Sequence, residues 1–250
     1  MDNNYNEEEY NKLISKYNYK EMIHDAFKQV ITPEFKKRGF KKKGKTFYRE
    51  RDGIIEICEV QYSRGNHQTT AKFTYNISIA IPSLYSELGI EVKNKLETTI
   101  CGIRIGDVIG VIYDLPSYRD YWYSLEAYSV EKSNYEGLSE EDIKVHSFYN
   151  DLDTRYDIKT GEGFGEVLIH DIENVIIPFF LSISDAKSLI EHLSNDEPKG
   201  EIDEQMMFQL GHKYYDHGKK EKGREIISRI RYGNYRNQIE YKIQNGKIVL

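Results

Sequence analysis

Residues 71–81, AKFTYNISIAI, decide the fold because apolar and polar side chains alternate along the whole stretch. One side carries the large apolar residues Phe73, Tyr75, Ile77, Ile79 and Ile81. The other side carries Lys72, Thr74, Asn76 and Ser78. A period of two predicts a half-buried β-strand, with one face on a core and the other face polar.

Segments on both sides of this strand have the same period and are joined by short turns. Asp52-Gly53 is typical of a two-residue hairpin turn, and we expect a second turn at Gly106-Asp107. Turns this short leave no room for crossover helices, so the sequence predicts an antiparallel sheet of five or six strands. The other predicted strands are Thr46–Arg51, Ile54–Ser63, Thr99–Ile105, Val108–Tyr113 and a short one around Tyr121–Tyr123.

An amphipathic helix is predicted before the sheet. From Tyr19 to Phe35, apolar residues recur at intervals of three and four, which is the pattern of a helix with one buried face. Pro33 lies inside this pattern and should kink the helix, because proline has no amide hydrogen to donate. Gly39 follows a run of cations at 36–38 and is a suitable residue to end the helix.

Helical periodicity returns after the strands. Ser139-Glu140-Glu141-Asp142 has the form of a capping box for a helix toward Leu152. The run Val167–Leu181 is longer and is broken near Pro178, and Ser184 is expected to cap a further helix that ends near Leu193. The predicted fold class is therefore α+β, with an antiparallel sheet packed by an N-terminal helix and C-terminal helices.

The last 50 residues are expected to form a separate element. Residues 195–200, NDEPKG, are typical of a linker. Beyond it, 201–231 has the spacing of one tetratricopeptide-like helical pair, in which Gly211 and Gly223 would let the two helices pack closely. We predict a helical hairpin followed by a terminal β-hairpin. The predicted organisation is a loose acidic lead-in at 1–17, an α+β domain at 18–195 and the helical and terminal hairpins at 201–250.

Charge is unevenly distributed along the chain. The segment Lys36–Arg51 has nine basic residues and one acid, a net charge of +8, which leaves −14 for the rest of a chain whose total is −6. Such a strip is able to steer a charged partner, although lysines also guard an exposed sheet edge. A nucleic-acid-binding surface is therefore one alternative, with Phe40 and Phe47 interleaved as stacking surfaces. Its candidate residues are Lys41, Lys42, Lys43, Lys45 and Tyr48.

The usual catalytic and metal-binding patterns are missing from the sequence. No phosphate-binding loop, nucleophile elbow or paired CxxC is present, and we expect His170 and Asp171 not to converge because adjacent helical residues diverge. A metal-dependent nuclease is a further alternative, in which Glu59 and Gln61 would share a strand face, although Glu56 would point away and no aspartate completes the site. We predict no enzyme activity, no cofactor and no metal site.

The chain is expected to be cytoplasmic. No apolar run approaches the ~20 residues of a membrane span, and the start MDNNYNEEEY has no basic or apolar signal regions. Cys58 and Cys101 lie in apolar stretches and are expected to be reduced thiols rather than a disulfide.

An ordered set of motifs resembles an uncharacterised bacterial family of domain-of-unknown-function proteins. The resemblance covers roughly residues 20 to 195, so the last 50 residues lie outside it. It implies a helix packed on an antiparallel sheet with C-terminal helices, and it brings no catalytic residues. The motifs are FKKKGKTFYRE at 40–50, QYSRG at 61–65, FTYNISI at 73–79, CGIRIGD at 101–107, YWYSL at 121–125 and ENVIIPFFLSISD at 173–185.

Several polar or aromatic residues in these motifs are not required by hydrophobic alternation. They are the candidate binding residues Arg49, Gln61, Ser63, Arg64, Asn76, Arg104 and Trp122. If they share the polar face of the sheet, its arginines are suited to bind an acidic group. The leading hypothesis is a non-catalytic protein-binding module, such as an immunity or antitoxin-like protein of a bacterial conflict system, whose expected partner is a basic toxin. Membrane binding is not expected.

Overall fold

The computed structural model describes residues 7–91, 93–112, 121–127 and 155–231. It divides the chain into two compact units. Unit 1 comprises residues 1–47, 58–76 and 104–179, and unit 2 comprises residues 48–57, 77–103 and 180–250. The architecture is α+β with an antiparallel sheet and C-terminal helices, which confirms the predicted fold class.

The strands within the described residues follow the order β1-β2-β3-β4-β5, and β6 pairs with β4. β4 and β6 are antiparallel, with Lys72 opposite Ser124 and Phe73 opposite Tyr123. The two-residue turn between β2 and β3 is confirmed, because Asp52 and Gly53 both have positive φ, at 51° and 80°. The strands are β1 Lys41–Lys43, β2 Thr46–Arg51, β3 Ile54–Tyr62, β4 Thr70–Ala80, β5 Thr99–Arg104 and β6 Tyr123–Glu126.

The described helices lie before, between and after these strands along the chain. A short 3₁₀-helix, Lys95–Glu97, precedes β5. π-helical turns occupy Phe27–Ile31 and Ile172–Ile176. The α-helices are α1 Glu7–Lys16, α2 Tyr19–Ala26, α3 Thr32–Lys37, α4 Pro82–Glu87, α5 Ile105–Ile112, α6 Phe164–Asp171, α7 Ile177–Ser182, α8 Ala186–Asn195, α9 Glu201–Asp216 and α10 Lys220–Ser228.

Aromatic side chains form the core of unit 1. Phe35 of α3 stacks on Phe47 of β2 with ring centroids 4.5 Å apart. Phe73 of β4 stacks on Tyr123 of β6 at 5.1 Å, as their register requires. Tyr75 lies between these two stacked pairs and contacts Phe35 of one and Tyr123 of the other edge-on. Ring stacking of this kind adds to the burial of large apolar area, so the alternation in β4 produces the expected core face.

Two prolines follow π-helical turns in the same way. The amide of Thr32 donates to the carbonyl of Phe27, and the amide of Ile177 donates to the carbonyl of Ile172, each five residues back. Pro33 and Pro178 come directly after these residues. A proline ring clashes with the carbonyl four residues back in a regular helix, and the wider turn accommodates it. The backbone stays helical through both prolines, so the interruption predicted at each takes the form of a π-helical turn and not of a break.

Local capping determines where α3 ends and where α8 begins. Gly39 follows α3 with a φ of 82°, and its amide donates to the Lys36 carbonyl, so the predicted role of Gly39 is confirmed. The N-cap of α8 is Asp185, whose carboxylate accepts from the Ser188 amide at 2.9 Å. The prediction of Ser184 as the cap was one residue early.

The predicted second hairpin is wrong, because residues 105–112 form helix α5. The Asp107 carboxylate accepts a hydrogen bond from the Arg104 amide at 3.0 Å, which satisfies a donor at the helix start. Ile105, Val108 and Ile109 are buried at helical spacing. The segment is so short that its apolar residues around Gly106-Asp107 fit the two-residue period of a strand as well as the 3.6-residue period of a helix. Tertiary packing then selects the helix.

Residues 7–16, expected to be loose, form α1, none of whose residues is buried. Three glutamates occupy its first turn and Lys16 its last, which matches the helix dipole at both ends. The helix predicted toward Leu152 and the terminal hairpin after 239 lie outside the described residues.

The helical hairpin of unit 2 has the close packing that its glycines predicted. A Cβ on Gly223 would lie 2.6 Å from the Gly211 carbonyl oxygen and 2.8 Å from the Tyr215 nitrogen. A Cβ on Gly211 would lie 2.6 Å from Cγ1 of Ile227. All three distances are too short for real side-chain contacts, so α9 and α10 approach each other only because both positions are glycine.

Among the described residues, no single helix is both long enough and apolar enough to cross a membrane. Two consecutive helices with a bend between them, 164–182 and 186–195, reach the length and apolar composition of a membrane span only when they are counted together.

Candidate binding surface on the polar face of the sheet

The polar face of unit 1 comprises the side chains of β3, β4 and the start of β6 that point away from Phe73 and Tyr75. Its members, with Arg104 at the end of β5, are Gln61, Ser63, Lys72, Thr74, Asn76, Trp122 and Arg104. Asn76 donates its amide to Oε1 of Gln61 at 2.8 Å, which links β4 to β3. The structure therefore brings five of the seven predicted binding residues onto one face.

Trp122 is the aromatic centre of this face. The Lys72 ammonium lies 5.6 Å from the indole centroid, and the Arg104 guanidinium carbon lies 5.5 Å from it. The indole is half-buried, and Lys72 is exposed. Each cation is within the distance at which the negative face of the ring attracts it. The arrangement keeps two positive charges beside an accessible aromatic side chain.

The loop between β3 and β4 fixes the position of Lys72. The Ser63 amide donates to the Lys72 carbonyl at 3.0 Å. The Asn66 side chain accepts from the Lys72 amide at 2.8 Å and donates to its carbonyl at 2.9 Å. Ser63 Oγ also accepts from the Gly65 amide. The backbone of Lys72 is thus held on both sides, and Arg64 is exposed in the same loop.

Thr74 lies on the polar face between Lys72 and Asn76 along β4. Its side chain is 0% exposed, and its hydroxyl has no hydrogen-bond partner among the described residues. A buried hydroxyl without a partner costs free energy. Strand alternation in β4 predicts Thr74 and Lys72 on this face, but no sequence pattern marks either as a binding residue.

Arg49 does not belong to the polar face, which departs from the predicted grouping. Its guanidinium pairs in unit 2 with the carboxylate of Glu56, which is 0% exposed, with Nε 2.7 Å from Oε2. Arg51 donates to the same carboxylate at 2.9 Å. Its side chain also donates to the carbonyl oxygens of Phe180, Ile183 and Ser184. These groups stabilise unit 2 and leave Glu56 fully occupied.

The nucleic-acid alternative loses the stacking surfaces that the sequence suggested. Phe40 and Phe47 are buried at 3% and 0% exposure. Tyr48 packs in unit 2 against a core cluster of Ile55, Ile57 and Ala80. The four lysines, by contrast, are exposed: Lys41, Lys42, Lys43 and Lys45.

Sequence reasoning missed a buried polar cluster in unit 1. Asp171, 1% exposed, accepts from both terminal nitrogens of Arg155 at 2.7 and 2.8 Å and from the Tyr123 hydroxyl at 2.6 Å. Burial raises the pKa of Tyr123 well above 10. His170 Nδ1 lies 3.1 Å from the same carboxylate, so the prediction that the adjacent pair does not converge is wrong. The carboxylate is saturated by donors, which is typical of a structural role.

Other reactive groups have no arrangement for catalysis in the parts of the chain described. Cys58 is fully buried, and burial raises the pKa of its thiol, which makes it a poor nucleophile. Glu59 is exposed on β3, whereas Glu56 is buried and paired with arginines. Within these ranges, no three His, Cys, Asp or Glu side chains are grouped to hold a metal ion.

The polar face and the lysines lie within a segment that has known relatives. Residues 31–147 are similar to a domain of unknown function, DUF4304. This match is consistent with the predicted resemblance to a family of domains of unknown function over that part of the chain, while the individual motifs and the bacterial origin stay predictions and ENVIIPFFLSISD at 173–185 lies outside the matched residues. Comparisons with curated proteins and with solved structures give no match. Since the family description states no activity, the function has to be argued from the surface.

Proposed function

We propose that this protein is a non-catalytic protein-binding module that recognises an acidic segment of its partner through the polar face. The observation that carries the proposal is Trp122, which is partly exposed on this face with Lys72 and Arg104 beside its ring. Trp and Arg are the side chains most often found at the energetic centre of protein interfaces. The flanking cations select a partner that presents carboxylates next to an apolar side chain.

The neighbouring polar groups support recognition of a peptide-like surface. Gln61 and Asn76 are half-buried, and their amides pair with each other while retaining further donors and acceptors. Lys72 is held by the loop through its backbone only, so its ammonium is able to reach a ligand. A partly ordered surface loses little side-chain entropy on binding.

The proposed setting is an immunity or antitoxin-like role in the bacterial cytoplasm. A toxin that binds the polar face has to present acidic groups there, because Lys72 and Arg104 would repel a basic surface. The basic toxin expected from the sequence would have to use the acidic remainder of the chain instead. In the first mode the cations of the polar face bind the partner, and in the second mode acidic residues elsewhere on the chain do so. Reversing the charge of Lys72 therefore distinguishes the two modes.

The test places a photo-crosslinking residue in the full chain in the native host at Ser124, which lies opposite Lys72 in the register of β4 and β6, so that Lys72 and Trp122 are kept. A control chain carries it at Lys187, whose side chain is 85% exposed on α8. We expect a protein crosslinked from position 124 and not from 187. Binding of that protein, once purified, should weaken about tenfold or more in Trp122→Ala and in Lys72→Glu, a loss of at least ~1.4 kcal/mol.

Lys187→Glu is the matched charge control and should leave the affinity unchanged. Equal crosslinking from both positions, or full affinity in Lys72→Glu, would overturn the proposal. Circular dichroism of each variant separates lost binding from lost folding. Protection of cells from the partner's toxicity, present with the wild type and lost with Lys72→Glu, tests the immunity role.

A further inference from the structure

The turn between β1 and β2 carries a group of lysines unlike the rest of the basic segment. We define the lysine hairpin as Lys41, Lys42, Lys43 and Lys45 with Gly44 between them. All five residues are exposed. Gly44 has a φ of 62°, and a Cβ placed there would meet nothing within 4 Å, so the turn is open to solvent.

The arginines of the basic segment are paired, whereas these lysines are not. Arg38 forms ion pairs with Glu34 and Glu173 in unit 1. Arg49 and Arg51 pair with Glu56 in unit 2. Among the described residues, no carboxylate lies within ion-pair distance of any lysine of the hairpin. Within the +8 segment, the structure thus distinguishes the arginines, which are used in folding, from the four lysines of the hairpin, whose charge is uncompensated among the described residues.

Two of these ammonium groups are held near aromatic rings rather than near anions. Lys42 Nζ lies 4.9 Å from the ring centroid of Phe27, and Lys45 Nζ lies 4.9 Å from that of Tyr62. Such contacts orient a lysine without neutralising it. Four like charges on one short hairpin repel each other, and an anionic polymer would remove that cost.

From this pattern we infer that the lysine hairpin binds the phosphate backbone of duplex nucleic acid without reading its sequence. Side chains at alternate positions of a β-strand are ~7 Å apart. This spacing is comparable to the separation of successive phosphates along one nucleic-acid strand. Lysine contacts a phosphate as a point charge. The hairpin has no exposed amide, hydroxyl or aromatic group with which to read base edges, so sequence preference is not expected.

Duplexes are favoured over single strands because the rings that Lys42 and Lys45 contact, Phe27 and Tyr62, are half-buried and each already lies beside an ammonium group. Binding of single strands depends on bases that stack on exposed rings, and Phe40 and Phe47 are buried. Acidic charge elsewhere on the chain does not prevent local binding, since charges beyond ~10 Å are largely screened at 0.1 M salt. This inference is independent of the polar face and of its protein partner.

The experiment measures fluorescence anisotropy of a short labelled DNA duplex with the full chain. Four phosphate contacts predict a dissociation constant in the range of about 10⁻⁴ to 10⁻⁶ M and an affinity that falls roughly a hundredfold between about 50 and 200 mM salt. Replacing all four hairpin lysines by Gln should abolish binding. The charge-matched control replaces four exposed lysines elsewhere by Gln and should bind as the wild type does: Lys20, Lys28, Lys187 and Lys199.

Three results would overturn the inference. The first is equal loss of binding in the control, which would mean that total charge matters and the hairpin does not. The second is tighter binding of the matching single strand than of the duplex. The third is tighter binding to polyglutamate or to vesicles rich in anionic lipid than to the duplex, which would assign the hairpin to another class of partner. Trp122→Ala should bind the duplex normally, so failure of this inference and failure of the proposed function are distinguishable.

Discussion

Arg51 donates its Nε hydrogen to the carboxylate of Glu56 at 2.9 Å, and Glu56 is entirely buried. Burial alone would lower the pKa of Arg51, but hydrogen bonds and charge attraction from Glu56 and then Asp52 raise it above its ordinary value. Arg49 contacts the same carboxylate. A single buried charge is therefore balanced by two cations that belong to the opposite strand of one hairpin.

We predict that Glu56→Gln destabilises the protein more than any surface substitution in β3. The variant leaves two guanidinium groups without their anion, and loss of one partner of a buried ion pair costs ~3–5 kcal/mol. Urea unfolding followed by circular dichroism measures the change. The exposed neighbour Glu59→Gln serves as the control and should stay within ~0.5 kcal/mol of the wild type. Equal stabilities of the two variants would contradict this account of Glu56.

Gly223→Ala is predicted to destabilise the α9–α10 hairpin. Alanine favours a helix by ~1 kcal/mol over glycine, but its Cβ would lie 2.6 Å from the Gly211 carbonyl oxygen and force the helices apart. We expect a net loss of about 1–2 kcal/mol, since overpacking costs ~1–3 kcal/mol. Thermal unfolding measures it.

Gly165→Ala in α6 is the matched control for that substitution. Its Cβ would lie 3.4 Å from Cγ2 of Val30, a contact that needs little adjustment. This variant should be neutral or slightly more stable than the wild type. A stable Gly223→Ala would show that the two helices tolerate a wider separation.

The sequence predicted the strands better than the pairing of their charged residues. β2, β3 and β4 follow from a period of two, whereas α5 was missed because its short apolar run fits a strand and a helix alike. Hairpin register did contain a signal for Arg49: a two-residue turn at Asp52-Gly53 places Glu56 directly opposite it. The carbonyl groups that Arg51 reaches lie about 130 residues away in the chain, so no local pattern predicts them.

The alternation of side chains along the strands also predicts part of the candidate site. Gln61, Asn76 and Lys72 fall on the polar face by alternation alone. The meeting of Arg104 with Trp122 depends on β5 and β6 both lying beside β4. That arrangement requires tertiary structure, since β6 is separated from β5 by helix α5 and the chain that follows.

Tyr75 and Tyr123 are predicted to respond oppositely to loss of their hydroxyl groups. Both are fully buried, and burial raises the pKa of each well above 10. The Tyr75 hydroxyl has no hydrogen-bond partner within the described residues, so Tyr75→Phe should be neutral or stabilising. The Tyr123 hydroxyl donates to Asp171, and Tyr123→Phe should cost ~1.5–3 kcal/mol. Chemical unfolding of both variants checks the contrast, which fails if Tyr75→Phe is the less stable.

His192 is predicted to make unit 2 more stable at mildly acidic pH. Its Nδ1 lies 3.0 Å from Asp196 and its Nε2 lies 2.7 Å from Asp203, and the Lys199 amide donates to the same Asp203 oxygen. Burial lowers the pKa of His192, and Lys199 opposes its charge, but the hydrogen bonds to both carboxylates prevail and raise the pKa above 6.5.

A raised pKa in the folded state means that folding favours the protonated imidazole. The stabilisation is complete below the unfolded pKa of 6.5 and is lost as pH rises through the folded pKa. Above it, the neutral ring donates one hydrogen and leaves one carboxylate without that donor. His192→Gln should therefore cost about 1 kcal/mol at about pH 6 and almost nothing at about pH 9. Unfolding free energies of both proteins at the two pH values test this, and a difference independent of pH would rule out the imidazolium as its cause.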